Sequence, residues 1–92
     1  MKNKIKKIHF VGIGGSGMSG IAEVMHTLGF TVTGSDKTES TSVKYLKKIG
    51  IKIFNKHSAS NIKGVNVLVV SSAISNQNIE FKTALDNEIP II

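Results

Sequence analysis

Four glycines in six positions, Gly12, Gly14, Gly15 and Gly17, with Gly20 close behind, form the chemically most suggestive stretch of this chain. They make a G-x-G-x-x-G pattern (Gly12, Gly14, Gly17) between the apolar run Ile8-His9-Phe10-Val11 and an apolar-faced segment that includes Ile21 and Ala22. A strand entering such a loop and a helix leaving it place unpaired backbone N–H groups and the positive end of a helix dipole around a phosphate-sized space. The N–H groups of Gly15, Ser16, Gly17 and Met18 are the expected diphosphate donors, and the hydroxyls of Ser16 and Ser19 can add to them. In a loop of this kind Gly12 is expected to permit the tight turn. Gly14 would leave room for the diphosphate, and Gly17 would let helix and strand pack closely. The plainer alternative is a glycine-rich connection with no ligand, and the position between a strand and a helix argues against it.

Two further segments belong with the loop. Asp36 follows Gly17 by nineteen residues, near the spacing at which an acid meets a ribose hydroxyl or a base N–H. Its alternative role is to cap the turn that follows it. Ser71-Ser72-Ala73-Ile74 comes directly after the apolar run Val65 to Val70. His57 would lie near the rim of Asp36, either as a ligand contact or as a structural residue. His9 reads as a packed or edge histidine, and His26 as a solvent-facing one. No group of His, Asp and Glu has metal-ligand spacing, no serine sits in a nucleophile elbow, and no G-x-x-x-x-G-K-[ST] loop occurs. The residues therefore predict a binding site with no catalytic set and no metal.

These segments need a scaffold, and the apolar periodicities supply one. Lys7 to Val11 reads as a first strand. Ser16 to Leu28 reads as a helix with Ile21, Val24, Met25 and Leu28 at helical spacing and Gly29 as terminator. Phe30 to Gly34 is a second strand. Thr41 or Ser42 is expected to cap a second helix carrying Val43, Leu46 and Ile49. Ile51 to Phe54 is a third strand, Ser58 to Ile62 one helical turn, and Val65 to Val70 a fourth strand, apolar on both faces. Asn78 to Asn87 is a third helix with Phe81, Ala84 and Leu85 inward, and Ile89 to Ile92 begins a fifth strand. Right-handed crossovers then predict an α/β, Rossmann-like single domain: a parallel five-stranded sheet, order 3-2-1-4-5, flanked by helices. Ligands bind outside the carboxyl ends of such strands, at the switch point between the first and the fourth.

Composition narrows the function classes. Ninety-two residues suit one small domain, and the abrupt apolar ending suggests that it belongs to something longer. With 40% apolar and 20% charged residues the chain is an ordinary globular one. Cysteine is absent, which excludes disulfides and thiolate metal sites. No apolar run reaches the ~20 residues of a membrane span. Met1 to Lys7 has no following secretion-signal pattern, so a cytoplasmic location is expected. The net charge of +6 comes from lysine alone, without arginine and without aromatics set among the basic residues. That favours solvated lysine faces over nucleic-acid binding.

The run His9-Phe10-Val11-Gly12-Ile13-Gly14-Gly15-Ser16-Gly17-Met18-Ser19-Gly20-Ile21-Ala22-Glu23 resembles the opening of the Mur ligase family of peptidoglycan synthesis. Within that family it is similar to the ligases that join L-alanine to UDP-N-acetylmuramate. Gly34-Ser35-Asp36, Val69-Val70-Ser71-Ser72-Ala73-Ile74 and the closing Ile89-Pro90-Ile91-Ile92 agree with the same family in order and spacing, so the resemblance spans essentially the whole chain. One departure is Asn55-Lys56-His57, where the family usually has a glycine just before the histidine. The resemblance implies that residues 1–92 are the N-terminal UDP-sugar-binding domain of a three-domain enzyme. Its central ATPase domain, with ATP and Mg2+, and its C-terminal amino-acid-binding domain would be absent, and the fragment alone would be inactive. The family's chemistry implies an acyl phosphate on the muramic acid carboxylate, attacked by the amine of L-alanine. By the same resemblance Gly15 to Ser19 hold the diphosphate, while Ser35 and Asp36, with Lys37 and His57, border the uridine. Ser72, Ala73 and Ile74 lie along the phosphate and sugar. The alternative from another class is an NAD(P)-binding module of a dehydrogenase or regulatory subunit; the glycine loop and Asp36 suit both. What separates them is the Ser-Ser-Ala-Ile segment and the lack of a second mononucleotide half, which a full dinucleotide site needs.

Overall fold

A central apolar strand, β1 (Lys7–Val11), organises the molecule in a computed structural model that describes residues 5–92. Part of the amino-terminal segment read above for a secretion signal lies outside those residues. β2 (Thr31–Ser35) and β4 (Val67–Val70) flank β1 in parallel, and β3 (Lys52–Phe54) adds to β2. The order is β3-β2-β1-β4, as the crossover rules require. The sheet has four strands, not five. The segment read as a fifth strand lies in the expected place beside β4 but forms a single parallel bridge, Leu68 to Ile91. Pro90 has no N–H to give, so the contact rests on bonds such as the Pro90 carbonyl accepting from Leu68 at 2.9 Å.

Alternation along β1 sends Ile8 and Phe10 to one face and His9 and Val11 to the other. The first face carries α1 (Met18–Thr27) and α2 (Thr41–Lys48) over a core that includes Phe10, Ile13, Ala22, Val43 and Leu46. The second face carries a 3-10 turn (Ala59–Ile62) and α3 (Ile79–Asp86) over Val11, Ile62, Leu68 and Ala84. Among the described residues no helix is long and apolar enough to cross a membrane.

Several sequence expectations shift in the structure. α1 begins at Met18, because Ser16 is held in a turn closed by Met18 N–H on the Gly15 carbonyl at 3.0 Å. Its buried residues are Met18 and Ala22, whereas Ile21, Val24 and Leu28 are about half exposed or more. Ile21 borders an apolar groove of about 330 Å³ beside Ile5, Val67, Val69 and Ile92. The cap of α2 is Ser40, whose Oγ accepts from Val43 N–H, not Thr41 or Ser42. β4 starts at Val67, since Asn66 is committed to β1: its side-chain oxygen accepts from the N–H groups of Lys6 and Lys7. On α3, Leu85 points outward and Glu80 is fully buried in its stead. His26 does not simply face water; its Nε2 bonds the Ile49 carbonyl at 2.9 Å and ties α1 to the end of α2.

Candidate functional site

The glycine loop leaves β1 and folds over the end of β2, where the Ser35 carbonyl accepts from the N–H groups of Gly12 (2.8 Å) and Ile13 (3.1 Å). Gly12 sits at φ +75°, and a Cβ there would meet the Ile74 and Ser71 side chains at 3.1 and 3.2 Å. The turn after β1 is thus pressed against the turn after β4, which is the crevice where ligands bind in such sheets. Gly17 also needs glycine, but for its φ of +79°; open space surrounds it, so close helix–strand packing is not its role.

The loop's donors divide into two sets. Gly15 N–H is spent on the Gly12 carbonyl (2.9 Å) and Met18 N–H on that of Gly15. The N–H groups of Ser16, Gly17 and Ser19 make no hydrogen bond among the described residues, and Gly17, the cap of α1, supplies no side chain to them. These three remain open at the positive end of the helix.

Gly14 lacks a side chain for a different reason from the one its motif suggests. A Cβ would meet Val43 (2.9 Å), Asp36 (3.0 Å) and Ser40 (3.0 Å), which are neighbours within the protein. Its N–H donates to Asp36 Oδ2 at 2.8 Å, while Asp36 Oδ1 accepts from Thr38 N–H at 3.0 Å. Asp36 therefore clamps the glycine loop and caps its own turn, and each carboxylate oxygen keeps a lone pair for a ligand. Asp36→Ala is expected to lower stability by about 1–2 kcal/mol, the worth of two backbone contacts to a charged acceptor, as a thermal melt would record. An unchanged melting temperature would mean the clamp is dispensable.

Ser71, Ser72, Ala73 and Ile74 turn sharply after β4. Ser71 is buried, its Oγ accepting from Ala73 N–H at 3.2 Å and its carbonyl from Ile74 N–H at 3.0 Å. Ser72 and Ala73 are exposed and Ile74 half-buried. Lys37, His57, Ala73 and Ile74 line one cavity of about 380 Å³, completed by Ser75, Gln77 and Asn78. Four residues expected at the site from three separate segments thus share one concave wall. A larger groove of about 610 Å³ runs along β3 past Lys47, Lys52 and Lys56, and none of the expected site residues lines it. Volume alone does not make it the site, because no residue of the turns after β1 and β4, which meet at the switch point of the sheet, lines it.

Behind the cavity wall lies a polar network absent from the sequence reading. Ser35, expected at the rim, is fully buried with its Oγ donating to Glu80 Oε1 at 2.7 Å. His9 Nε2 donates to the same oxygen at 2.8 Å and its Nδ1 contacts Thr33 Oγ1 at 2.7 Å. Glu80 Oε2 accepts from Asn61 Nδ2 (2.6 Å) and Ser58 N–H (3.0 Å). The parallel register pairs His9 with Thr33 and Val11 with Ser35, so all four share the face covered by α3. Among the described residues no buried side-chain nitrogen or oxygen lacks a partner.

Burial by itself would push the Glu80 carboxyl up. Hydrogen bonds from His9, Ser35 and Asn61, with the attraction of the His9 ring, outweigh this and hold it down at about 2. A carboxyl lowered on folding stabilises the protein above its unfolded value of 4.5, and that contribution fades as pH falls through about 2. The urea midpoint is therefore expected to fall from pH 5 to pH 3 more steeply in the wild type than in Glu80→Met. Equal slopes would show that Glu80 is not the titrating group.

The described residues contain no group of three His, Cys, Asp or Glu able to hold a metal ion, and the sequence has no lysine-bearing phosphate loop.

A family model described as "Mur ligase family, catalytic domain" matches residues 7–92. The UDP-N-acetylmuramate–L-alanine ligase of Neisseria gonorrhoeae is 48% identical over 92 residues, all of this chain and 20% of that protein. The ligase of the same name from Rickettsia typhi is 56% identical over 85 residues, 92% of this chain and 17% of that protein. Among solved structures, UDP-N-acetylmuramate-alanine ligase from Thermotoga maritima superposes with a TM-score of 0.89 at 40% identity, over 96% of this chain and 20% of that one. The chain spans about one fifth of the length of these relatives.

Proposed function

Because this chain belongs to the Mur ligase family, we propose that it is the N-terminal, UDP-sugar-binding domain of the enzyme that joins L-alanine to UDP-N-acetylmuramate. The observation that carries this reading is the cavity shared by Lys37, His57, Ala73 and Ile74, whose Ile74 packs against Gly12 of a glycine loop with three open N–H groups. The N–H groups of Ser16, Gly17 and Ser19, backed by the α1 dipole, hold the diphosphate. Gly12, Gly14, Gly15 and Met18 shape that loop. Asp36, Lys37 and His57 border the uridine, and Ser72, Ala73 and Ile74 lie along the phosphate and sugar.

Binding and orientation of the nucleotide sugar is this domain's part of the reaction. The parent enzyme is an ATP-dependent ligase of the cytoplasm acting in peptidoglycan synthesis, and ATP, Mg2+ and the amino acid are handled by its other two domains. Those domains are the partners of this one, with no nucleic acid or membrane involved. The test is a calorimetric titration of the chain with UDP-N-acetylmuramate, NAD and ATP in turn. Heat from the UDP-sugar alone is the expected result, and binding of NAD in its place would overturn the reading.

A further inference from the structure

Glu80 cannot itself meet a ligand. It is fully buried, and its four accepting positions are taken by His9, Ser35, Asn61 and Ser58. One of those partners nevertheless touches a residue that lines the cavity. Ser35 Oγ lies 2.7 Å from Glu80 Oε1 and 2.9 Å from His57 Nδ1. A hydroxyl has one proton, and a carboxylate can only accept, so the Ser35 proton lies toward Glu80. The Ser35 oxygen must then accept from His57, which places a proton on His57 Nδ1. In the neutral ring this leaves Nε2 without a proton. Nε2 has no hydrogen-bond partner among the described residues and is not buried, and His57 lines the cavity beside Lys37, Ala73 and Ile74.

We propose that Glu80 is a positioning residue for ligand recognition. Through the Ser35 hydroxyl, and through its own Oε2 3.7 Å from His57 Nδ1, it locks neutral His57 as the Nδ1–H tautomer, so that Nε2 meets the cavity as an acceptor for an N–H or O–H of the nucleoside. This rests on the nucleotide-sugar reading for the ligand, but not for the tautomer. The tautomer held is the opposite of the Nε2–H form that histidine prefers in water, so the buried chain of bonds carries information a surface histidine would lack. Selection follows from it: a site offering a fixed acceptor loses affinity for ligands without the matching donor.

The test is a long-range proton–nitrogen NMR spectrum of the chain at pH 8, with histidine nitrogens labelled and His57 assigned through His57→Gln. The expected result is Nδ1–H for His57 in the wild type and a partial shift toward Nε2–H in Ser35→Ala, which removes the hydroxyl link but keeps the Glu80 charge 3.7 Å from Nδ1. Folded Glu80→Met should shift the same way, because the freed Ser35 proton can then turn to Nδ1. Should Glu80→Met fail to fold, the wild type and Ser35→Ala decide the matter. An Nε2–H ring in the wild type, or an unchanged ring in Ser35→Ala, overturns the proposal.

Calorimetry with UDP, N3-methyl-UDP and 2′,3′-dideoxy-UDP then reads the recognition. Ser35→Ala should bind UDP about tenfold more weakly, the worth of one hydrogen bond. Loss of affinity for one of the two analogues names the donor, and equal binding of all three would overturn the acceptor role. If the wild type bound no UDP at all, the ligand reading would fall while the tautomer measurement still judged Glu80.

Discussion

Glu80→Ala is expected to cost about 3–5 kcal/mol of folding stability, a large share of what a domain of this size possesses. The variant removes one charge from the interior but strands three donors. His9 Nε2, one of the two Asn61 Nδ2 protons and the Ser58 N–H lose their acceptor together, and the Ser35 hydroxyl must turn to His57. Relief of the carboxylate's own burial works in the opposite direction. It does not win, because each buried donor left unpaired costs about 1–3 kcal/mol. A urea titration measures the effect. A loss below about 1 kcal/mol would show that the network rearranges freely and that its members are not held by Glu80. A paired change, Glu80→Met with His9→Phe, should cost less than the sum of the single changes, since apolar groups replace both sides of the His9–Glu80 contact.

Gly34→Val is expected to be comparably severe and to remove nucleotide-sugar binding as well. A Cβ at position 34 would lie 2.5 Å from Ile13 Cδ1, 2.8 Å from its Cβ and 3.0 Å from its Cγ2. Ile13 is fully buried among Phe10, Val43 and Leu46, and Gly34 lies in β2 between β1 and β3, so neither side can yield. Overpacking of this kind costs about 3 kcal/mol. The displacement would also travel to the ligand. Ile13 and Gly12 hang on the Ser35 carbonyl, one residue from the substitution, and the open N–H groups of Ser16 and Gly17 follow directly. A thermal melt with a titration of UDP-N-acetylmuramate tests both parts; wild-type values in both would remove Gly34 from the support of the loop. Ile13→Ala should rescue only partly, because the Ile13 Cβ remains.

Both predictions concern residues that local patterns under-read. Gly34 stood as the end of an apolar strand, and only the crossing of Ile13 explains its missing side chain. Glu80, by its type, is one more charged residue on a short helix, where a solvated position is the ordinary fate. Its place on the Ala84 side of α3, four residues apart on one helical face, is consistent with burial. Nothing in the residue types separates it from an exposed glutamate. Phe81, Ala84 and Leu85 made an equally good apolar face, and Leu85 proved to be outside it. Gly14 shows the same limit within the motif: its spacing was read correctly, but its bareness serves Val43, Asp36 and Ser40.

What the sequence determined alone is what local chemistry decides. Alternating apolar residues and terminating glycines set the run of strands and helices, and the right-handed crossovers set their order around β1. Glycine spacing set the loop and its place at the carboxyl edge, and three motifs agreeing with one family set the relationship. Tertiary structure alone decided which donors stay open, which way the Asp36 carboxylate turns, and what stands behind His57. Those outcomes depend on contacts between residues 22 to 71 positions apart, such as Gly14 with Asp36 and His9 with Glu80. A buried hydrogen bond is chosen by the scarcity of partners once water is excluded, and that scarcity exists only after the chain has closed on itself.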